Sequence, residues 1–213
     1  MKLFLSSSGH TVADYLKTQQ LENSPIAYIT TASLGKHLDG TPINMEYIIR
    51  ERERFDKVGI KYDEYDLLGY TKSQLLRTLK NYRYVYVTGG NTYYLLRIFR
   101  DTGFNKILTE LVKNGTVYLG SSAGSYIAGP TIEPATWSFP QRHFRYGIKD
   151  LSALNLVPFL IKAHYTEAKK DAICKGIATT TYKTYVLNDE QAILFDDGKI
   201  SVWGDSTIID LKC

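Results

Sequence analysis

Cysteine and long apolar runs are scarce in the sequence, and both absences narrow what the protein can be. The 213 residues include only Cys174 and Cys213, far apart and without the Cys-x-x-Cys spacing of a thiolate metal site. We therefore expect no disulfide framework, and Cys174 in "DAICKGIA" is typical of a small buried residue. No segment approaches the ~20 apolar residues of a membrane-spanning helix, which predicts no membrane partner.

A targeting segment and a strong charge are also lacking. The N-terminal "MKLFLSSSGH" reaches serines after a few apolar residues, too few for a signal-peptide core, so we expect a cytoplasmic protein. The net charge is only +4, and basic residues alternate with acids in "RERERFDK", as on a solvated helix face. A basic stripe with aromatic platforms is missing, which predicts no nucleic-acid partner.

What the sequence does contain is an alternation of short apolar runs and amphipathic segments. A content of 44% hydrophobic and 23% charged residues indicates one globular domain over residues 1–213. Strand then helix, repeated, predicts parallel strands joined by crossovers in a three-layer α/β sandwich. The predicted strands are residues 2–6, 26–32, 84–89 and 117–120, and the predicted helices begin at Thr11, Asn44, Lys72 and Thr92, the last continuing into "FNKILTELVKNG".

Glycines mark the ends of predicted helices and a predicted turn. Gly59 and Gly115 follow predicted helices where a left-handed C-cap would be needed. Near the C-terminus, Asp197-Gly198 lies between two alternating runs, which predicts an antiparallel hairpin at the edge of the sheet.

The stretch "TVYLGSSAGSYIAGPTIEP" carries the first chemical signal. Its Gly120-Ser121-Ser122-Ala123-Gly124 fits the Gly-x-Ser-x-Gly pattern of a sharp turn from strand to helix, with Ser122 as a nucleophile. The rival interpretation is a polar turn that happens to contain serine. Because the turn opens a helix, the N–H of Ala123 would face a developing oxyanion.

A second glycine turn, "VTGGNT", follows another predicted strand. Gly89 and Gly90 leave their N–H groups unshielded, and Gly90 is the predicted second oxyanion donor. We expect Gly89 and Asn91 to contribute to substrate binding. A phosphate cradle is the rival interpretation, but neither a dinucleotide fingerprint nor a P-loop lysine is present.

A nucleophilic serine needs a base, and four histidines are available. His164 follows the strand-like run of residues 154–161, which predicts an imidazole at the same sheet edge as Ser122. His10 follows the first strand and is a predicted substrate-binding group, whereas His37 and His143 have the sequence context of loops.

The third group should be a carboxylate that orients the imidazole. Glu133, just beyond the predicted elbow helix, is the first choice, with Asp150 and Glu167 as weaker ones. Histidines and carboxylates do not recur at ligand spacing on one helix or hairpin, so we expect no metal.

These motifs together resemble the peptidase E family of serine peptidases, which includes dipeptidase E and the more distant cyanophycinases. The matching elements are "LSSSG", "VTGGNT", "GSSAG" with "GPTIE", and "LNLVPFLIKAHY", in the family's order over residues 2–165. The resemblance implies a flavodoxin-like fold similar to class I glutamine amidotransferases. It also implies a Ser-His-acid mechanism on short peptides through an acyl-enzyme, without a cofactor.

The chain departs from this family at two positions. Dipeptidase E carries its aspartate near the position of Trp137, and some relatives use a glutamate, which is why the resemblance assigns the role to Glu133. The arginine that reads the aspartyl side chain is missing after His164, where Lys169 and Lys170 stand instead.

A non-catalytic relative that binds a small metabolite stays open, as does a homodimer. The absence of a cysteine near Ser122 argues against a glutaminase.

Overall fold

A computed structural model describes residues 1–19, 21, 24–137, 144–204, 209–211 and 213. Its strands are Lys2–Ser6 (β1), Ile26–Ile29 (β2), Tyr62–Tyr65 (β3), Tyr84–Val87 (β4), Val117–Ser121 (β5), Leu160–Lys162 (β6), Thr184–Val186 (β7), Gln191–Asp196 (β8) and Lys199–Gly204 (β9). Its α-helices are Gly9–Lys17 (α1), Glu46–Lys57 (α2), Lys72–Leu79 (α3), Thr92–Thr102 (α4), Phe104–Lys113 (α5), Ala123–Ala128 (α6), Pro134–Trp137 (α7) and Lys170–Ile177 (α8).

Seven strands form one sheet in the order β3-β2-β4-β5-β1-β8-β9. The first five of these pair in parallel, and β8 and β9 add antiparallel pairing at one side. Strands β6 and β7 form a separate parallel pair. The predicted α/β class with a mostly parallel sheet is confirmed, and so is the C-terminal hairpin, in which Asp197 and Gly198 both have positive φ.

Helices cover both faces of the sheet, because its strands are apolar on both sides. Side chains of α1 and α2, including Val12 and Phe55, pack with Phe4 and Tyr86 on one face. Helices α3 to α6 cover the opposite face in a larger core. The result is the predicted three-layer arrangement.

Strands β3 and β7 are not among the predicted strands, and one predicted strand differs from the structure. Strand β3, "YDEY", is polar and partly exposed, so its sequence lacks the apolar signal of the other strands. The run of residues 154–161 was predicted as one strand, but only Leu160–Lys162 is a strand. The preceding residues instead bond with the chain around α6, as in the donation from Leu156 N–H to Ala128 O.

The two cysteines correct a further prediction. Cys174 in α8 and Cys213 form a disulfide with 5.2 Å between their Cα atoms. The sequence does not predict this pairing, because the two cysteines are 39 residues apart and only the fold brings Cys213 to α8. Among the described residues, no helix is both long and apolar enough to cross a membrane.

The carboxyl ends of β1, β4 and β5 lie side by side in the middle of the sheet. Ligands of open parallel sheets bind outside these ends, where the connecting loops diverge. The turns that follow these three strands contain Ser7, Gly89 and Ser122. The fold therefore gathers the sequence-predicted motifs at one edge.

Candidate active site

Ser122 is the single residue between β5 and α6. Its φ of 48° and ψ of −104° are unusual for a residue other than glycine. Its N–H donates to Ser6 O at 3.1 Å, which anchors the turn to β1. A strained residue that surrounding structure holds in place is common at functional sites, and Ser122 is partly exposed rather than buried.

Close backbone packing explains the two glycines of the Gly-x-Ser-x-Gly pattern. A Cβ on Gly124 would lie 2.1 Å from Val87 O, and one on Gly120 would lie 2.7 Å from the carbonyl carbon of Gly124. Neither position tolerates a side chain. The pattern in this chain is therefore a packing requirement of the turn rather than a chance match.

His164 follows β6 and faces Ser122, as the sequence predicts. Its Nε2 lies 2.8 Å from Ser122 Oγ. The backbone of His164, with a φ of 60°, is held from both sides. Its N–H donates to Ser7 Oγ at 2.8 Å, and its carbonyl accepts from Lys169 Nζ at 2.7 Å.

Asp189 is the carboxylate that contacts the imidazole. Its Oδ1 lies 2.6 Å from His164 Nδ1 and also accepts from Ser7 Oγ at 2.8 Å. The hydrogen bond from His164 lowers the pKa of Asp189 to about 2. An ionised carboxylate only accepts hydrogen bonds, so Nδ1 must carry the proton and Nε2 presents its lone pair to Ser122.

Glu133 is not the carboxylate that meets His164, contrary to the prediction. Its Oε1 accepts from Thr180 Oγ1 at 2.6 Å, and its N–H donates to Thr131 Oγ1. Glu133 immediately precedes α7. The two weaker choices are engaged elsewhere: Asp150 pairs with Arg100, and Glu167 contacts Tyr165 and Lys170.

Sequence reasoning missed Asp189 and Ser7. Asp189 lies in the turn before β8, where an acidic residue is unremarkable, and its role depends on β8 pairing with β1 beside Ser7. Ser7 belongs to the "LSSSG" element that carried part of the family resemblance. The signal that could have identified Ser7 is its position as a polar residue directly after a central strand.

The two predicted oxyanion donors are the backbone N–H groups of Ala123 and Gly90. Ala123 opens α6, so its N–H has no partner within the helix. The Gly90 N–H makes no hydrogen bond to the part of the chain that the structure describes. A Cβ on Gly90 would lie 2.2 Å from Ala32 O, and one on Gly89 would contact the Ser122 Cβ at 3.3 Å, so the glycine turn packs directly against the serine.

The remaining predicted groups divide between the cavity and the scaffold. His10 lines the cavity and pairs with Glu190 at 3.0 Å, while its other nitrogen contacts Ser8. Asn91 is fully buried and caps α4. Its side-chain amide donates to Lys36 O and Phe144 O, so it connects the start of α4 to two loops. His37 also lines the cavity, and His143 lies outside the described residues.

A cavity of about 820 Å³ opens beside Ser122 and His164. Its walls come from the loop after β1, from α2, from the glycine turn and from β6, and they include Gly9, Tyr47, Glu51, Lys162 and Lys169. The size suits a small ligand of the kind that binds in concave sites. Within the described ranges, no group of three or more histidine, cysteine or carboxylate side chains could hold a metal ion.

Comparison with known proteins identifies the family. The model of peptidase family S51 matches residues 3–203. The chain therefore belongs to peptidase family S51, and it is a serine-type peptidase.

The relatives agree with this assignment. An uncharacterized peptidase of Pasteurella multocida (strain Pm70) is 32% identical over 92% of this chain and 94% of its own length. Peptidase E of Nostoc sp. (strain PCC 7120) is 32% identical over 78% of this chain and 66% of its own length. A protein from Listeria monocytogenes EGD-e, provisionally assigned to peptidase E, superimposes with a TM-score of 0.80 at 25% identity, covering 95% of this chain and 98% of that chain.

Proposed function

We propose that the protein hydrolyses short peptides through an acyl-enzyme, with Ser122 as the nucleophile, His164 as the general base and Asp189 as the orienting acid. The observation that carries this proposal is the continuous hydrogen-bond chain from Ser122 Oγ through both nitrogens of His164 to Asp189 Oδ1. A nucleophile within reach of a base, which a third group orients, is the arrangement that serine hydrolases use.

In the first half of the reaction, Ser122 Oγ attacks the scissile carbonyl carbon while His164 Nε2 takes the hydroxyl proton. The imidazolium that forms is stabilised by the Asp189 carboxylate at Nδ1. The N–H groups of Gly90 and Ala123 donate to the oxyanion. His164 Nε2 then returns the proton to the leaving amine, and the carbon–nitrogen bond breaks.

In the second half, water replaces the leaving amine. His164 Nε2 takes a proton from the water, whose oxygen attacks the acyl-enzyme ester. Collapse of the second tetrahedral intermediate returns the proton to Ser122 Oγ and releases the shortened acid. This series of steps requires no cofactor, because every proton moves between Ser122, His164, the substrate and water.

Short peptides are the proposed substrates because the cavity is small and lies between loops of a compact fold. The test is an unblocked di- and tripeptide library incubated with the wild type and with Ser122→Ala, and scored by mass spectrometry. We expect the wild type to cleave a defined subset and Ser122→Ala to cleave none. If a phosphonylating probe labels Ser122 but no peptide is cleaved, the substrate is not a short peptide. If the probe does not label Ser122 either, the metabolite-binding alternative is favoured.

A further inference from the structure

Two buried charged side chains on the cavity wall have no part in the proposed reaction. Glu51 of α2 is 6% exposed and Lys162 of β6 is 4% exposed, and both line the cavity. Neither forms an ion pair with any residue that the structure describes. Buried charges are usually paired, so wall groups that lack an ion-pair partner among the described residues suggest a charged ligand.

Glu51 lies against the start of α1 and is held by tyrosines. Its two oxygens accept from Tyr28 at 2.5 Å and from Tyr86 at 2.6 Å. A Cβ on Gly9 would fall 1.3 Å from Glu51 Oε2, so the absence of a side chain at Gly9 leaves room for the carboxylate. Burial raises the pKa of Glu51 to about 7, against the effect of both tyrosines. An ammonium group in the cavity would supply the missing positive charge.

Lys162 presents the opposite charge on another wall. Its Nζ donates to Pro134 O at 2.9 Å and lies 5.6 Å from the centre of the Tyr126 ring. Burial, together with the nearby Lys169, lowers the pKa of Lys162 to about 7. A carboxylate in the cavity would supply the missing negative charge and stabilise the ammonium form.

The two groups contact side chains that lie on opposite faces of the central sheet. Glu51 reaches the elbow through Tyr86, whose hydroxyl lies 2.8 Å from Ser121 Oγ on the face that α1 and α2 cover. Lys162 contacts Tyr126 of α6, which covers the other face, and stands two residues before His164. Glu51 and Lys162 therefore line one cavity from two different elements, α2 and β6, and Arg50 and Arg54 of α2 line it as well.

We propose that Glu51 binds the α-ammonium group and Lys162 the α-carboxylate of a short unblocked peptide, so that the cavity selects zwitterions. The direction follows from the chemistry, and it rests on the proposed function. His164 must hand its proton to the leaving amine, which begins the C-terminal part of the substrate. Lys162 is on the same segment as His164, so we assign the C-terminal carboxylate to Lys162 and the N-terminal ammonium group to Glu51 on the other element.

Binding to Ser122→Ala tests this proposal without relying on hydrolysis. Ala-Ala, Leu-Ala, Asp-Ala and Lys-Ala, each in unblocked, N-acetylated and C-amidated form, would be titrated calorimetrically into this background and into its double variants with Glu51→Gln and Lys162→Met. We expect the unblocked forms to bind about tenfold or more tightly than either blocked form. Glu51→Gln should remove the advantage over N-acetyl peptides alone, and Lys162→Met the advantage over C-amides alone.

Matched controls are Glu53→Gln, an exposed glutamate of α2, and Lys149→Met, an exposed lysine. Both should leave all affinities unchanged. A variant that merely disturbs the fold would weaken every form alike, so the crossed pattern is diagnostic. The proposal is overturned if blocking either terminus makes no difference, if the preferences survive both wall variants, or if no unblocked dipeptide binds. Because Ser122 is absent, lack of peptidase activity in the wild type leaves these outcomes interpretable.

Discussion

Asp189 and His164 are 25 residues apart in the chain, yet Asp189 Oδ1 lies 2.6 Å from His164 Nδ1. Strand β8 brings them together, because its antiparallel pairing with β1 places the turn before it beside Ser7. His164 reaches the same point from β6. The orienting contact thus depends on both β6 and β8, and backbone bonds from Leu187 N–H to Lys162 O and from Tyr165 N–H to Leu187 O also join the two segments.

Asp189→Asn should lower kcat by roughly 10²–10⁴-fold with little change in KM, because an amide that donates to Nδ1 would leave the proton on Nε2. The matched control is Glu133→Gln, which changes the sequence-predicted acid at a site bonded to Thr180. Steady-state kinetics on a cleaved peptide would compare the two. A large loss in Glu133→Gln with an active Asp189→Asn would contradict the assignment of the acid.

Ser7→Ala should reduce kcat roughly tenfold to a hundredfold, because it removes the bridge between His164 N–H and Asp189 Oδ1 and lets the imidazole shift. KM should stay near the wild-type value, since Ser7 Oγ acts through other residues. Ser8→Ala is the control, because Ser8 bonds to His10 instead. Equal losses in both variants would show that the loop as a whole matters, and not the Ser7 bridge.

Most of the sheet could be predicted from sequence, because apolar strands and amphipathic helices alternate with caps at Gly59 and Gly115, both of which have positive φ. Strand β3 was missed for a physical reason. It lies at the sheet edge, where polar side chains such as Asp63 and Glu64 face solvent. Only pairing with β2 identifies such a segment as a strand.

Sequence pattern was enough to predict those residues of the candidate site that lie within one short stretch of the chain. Ser122 and its glycines lie within five residues, and His164 follows an apolar run. The acid could not be found this way, because Glu133 and Asp189 are both polar residues near turns. Glu51 is harder still, since "RERERFDK" reads as a solvated face while α2 turns this one glutamate into the cavity. Selecting among equivalent acids requires the tertiary contacts.

Cys174→Ser should lower the free energy of unfolding by roughly 2–4 kcal/mol under oxidising conditions, because the disulfide closes a loop across 39 residues of sequence. The same substitution should have little effect once reductant is present. Alkylation before and after reduction, followed by intact-mass measurement, would count the free thiols. Two alkylated cysteines in the non-reduced wild type would show that the bond does not form.

Lys162→Met should stabilise the protein at pH 6 by on the order of a few kcal/mol, because the methionine fills a similar volume without burying an ammonium group. The pKa of Lys162 is lowered from 10.5 to about 7 in the folded chain. The folded protein therefore binds fewer protons than the unfolded chain between these values, and its stability rises with pH across that window. The full penalty is present below about pH 7, so the gain from Lys162→Met should shrink towards pH 10.

Urea unfolding at both pH values would measure this difference, with Lys149→Met as an exposed control. An equal gain at pH 6 and pH 10, or a loss at pH 6, would mean that charge burial at Lys162 does not set the effect. A more stable variant that binds C-terminal carboxylates less tightly would show that the buried lysine is kept for binding at a cost to the fold.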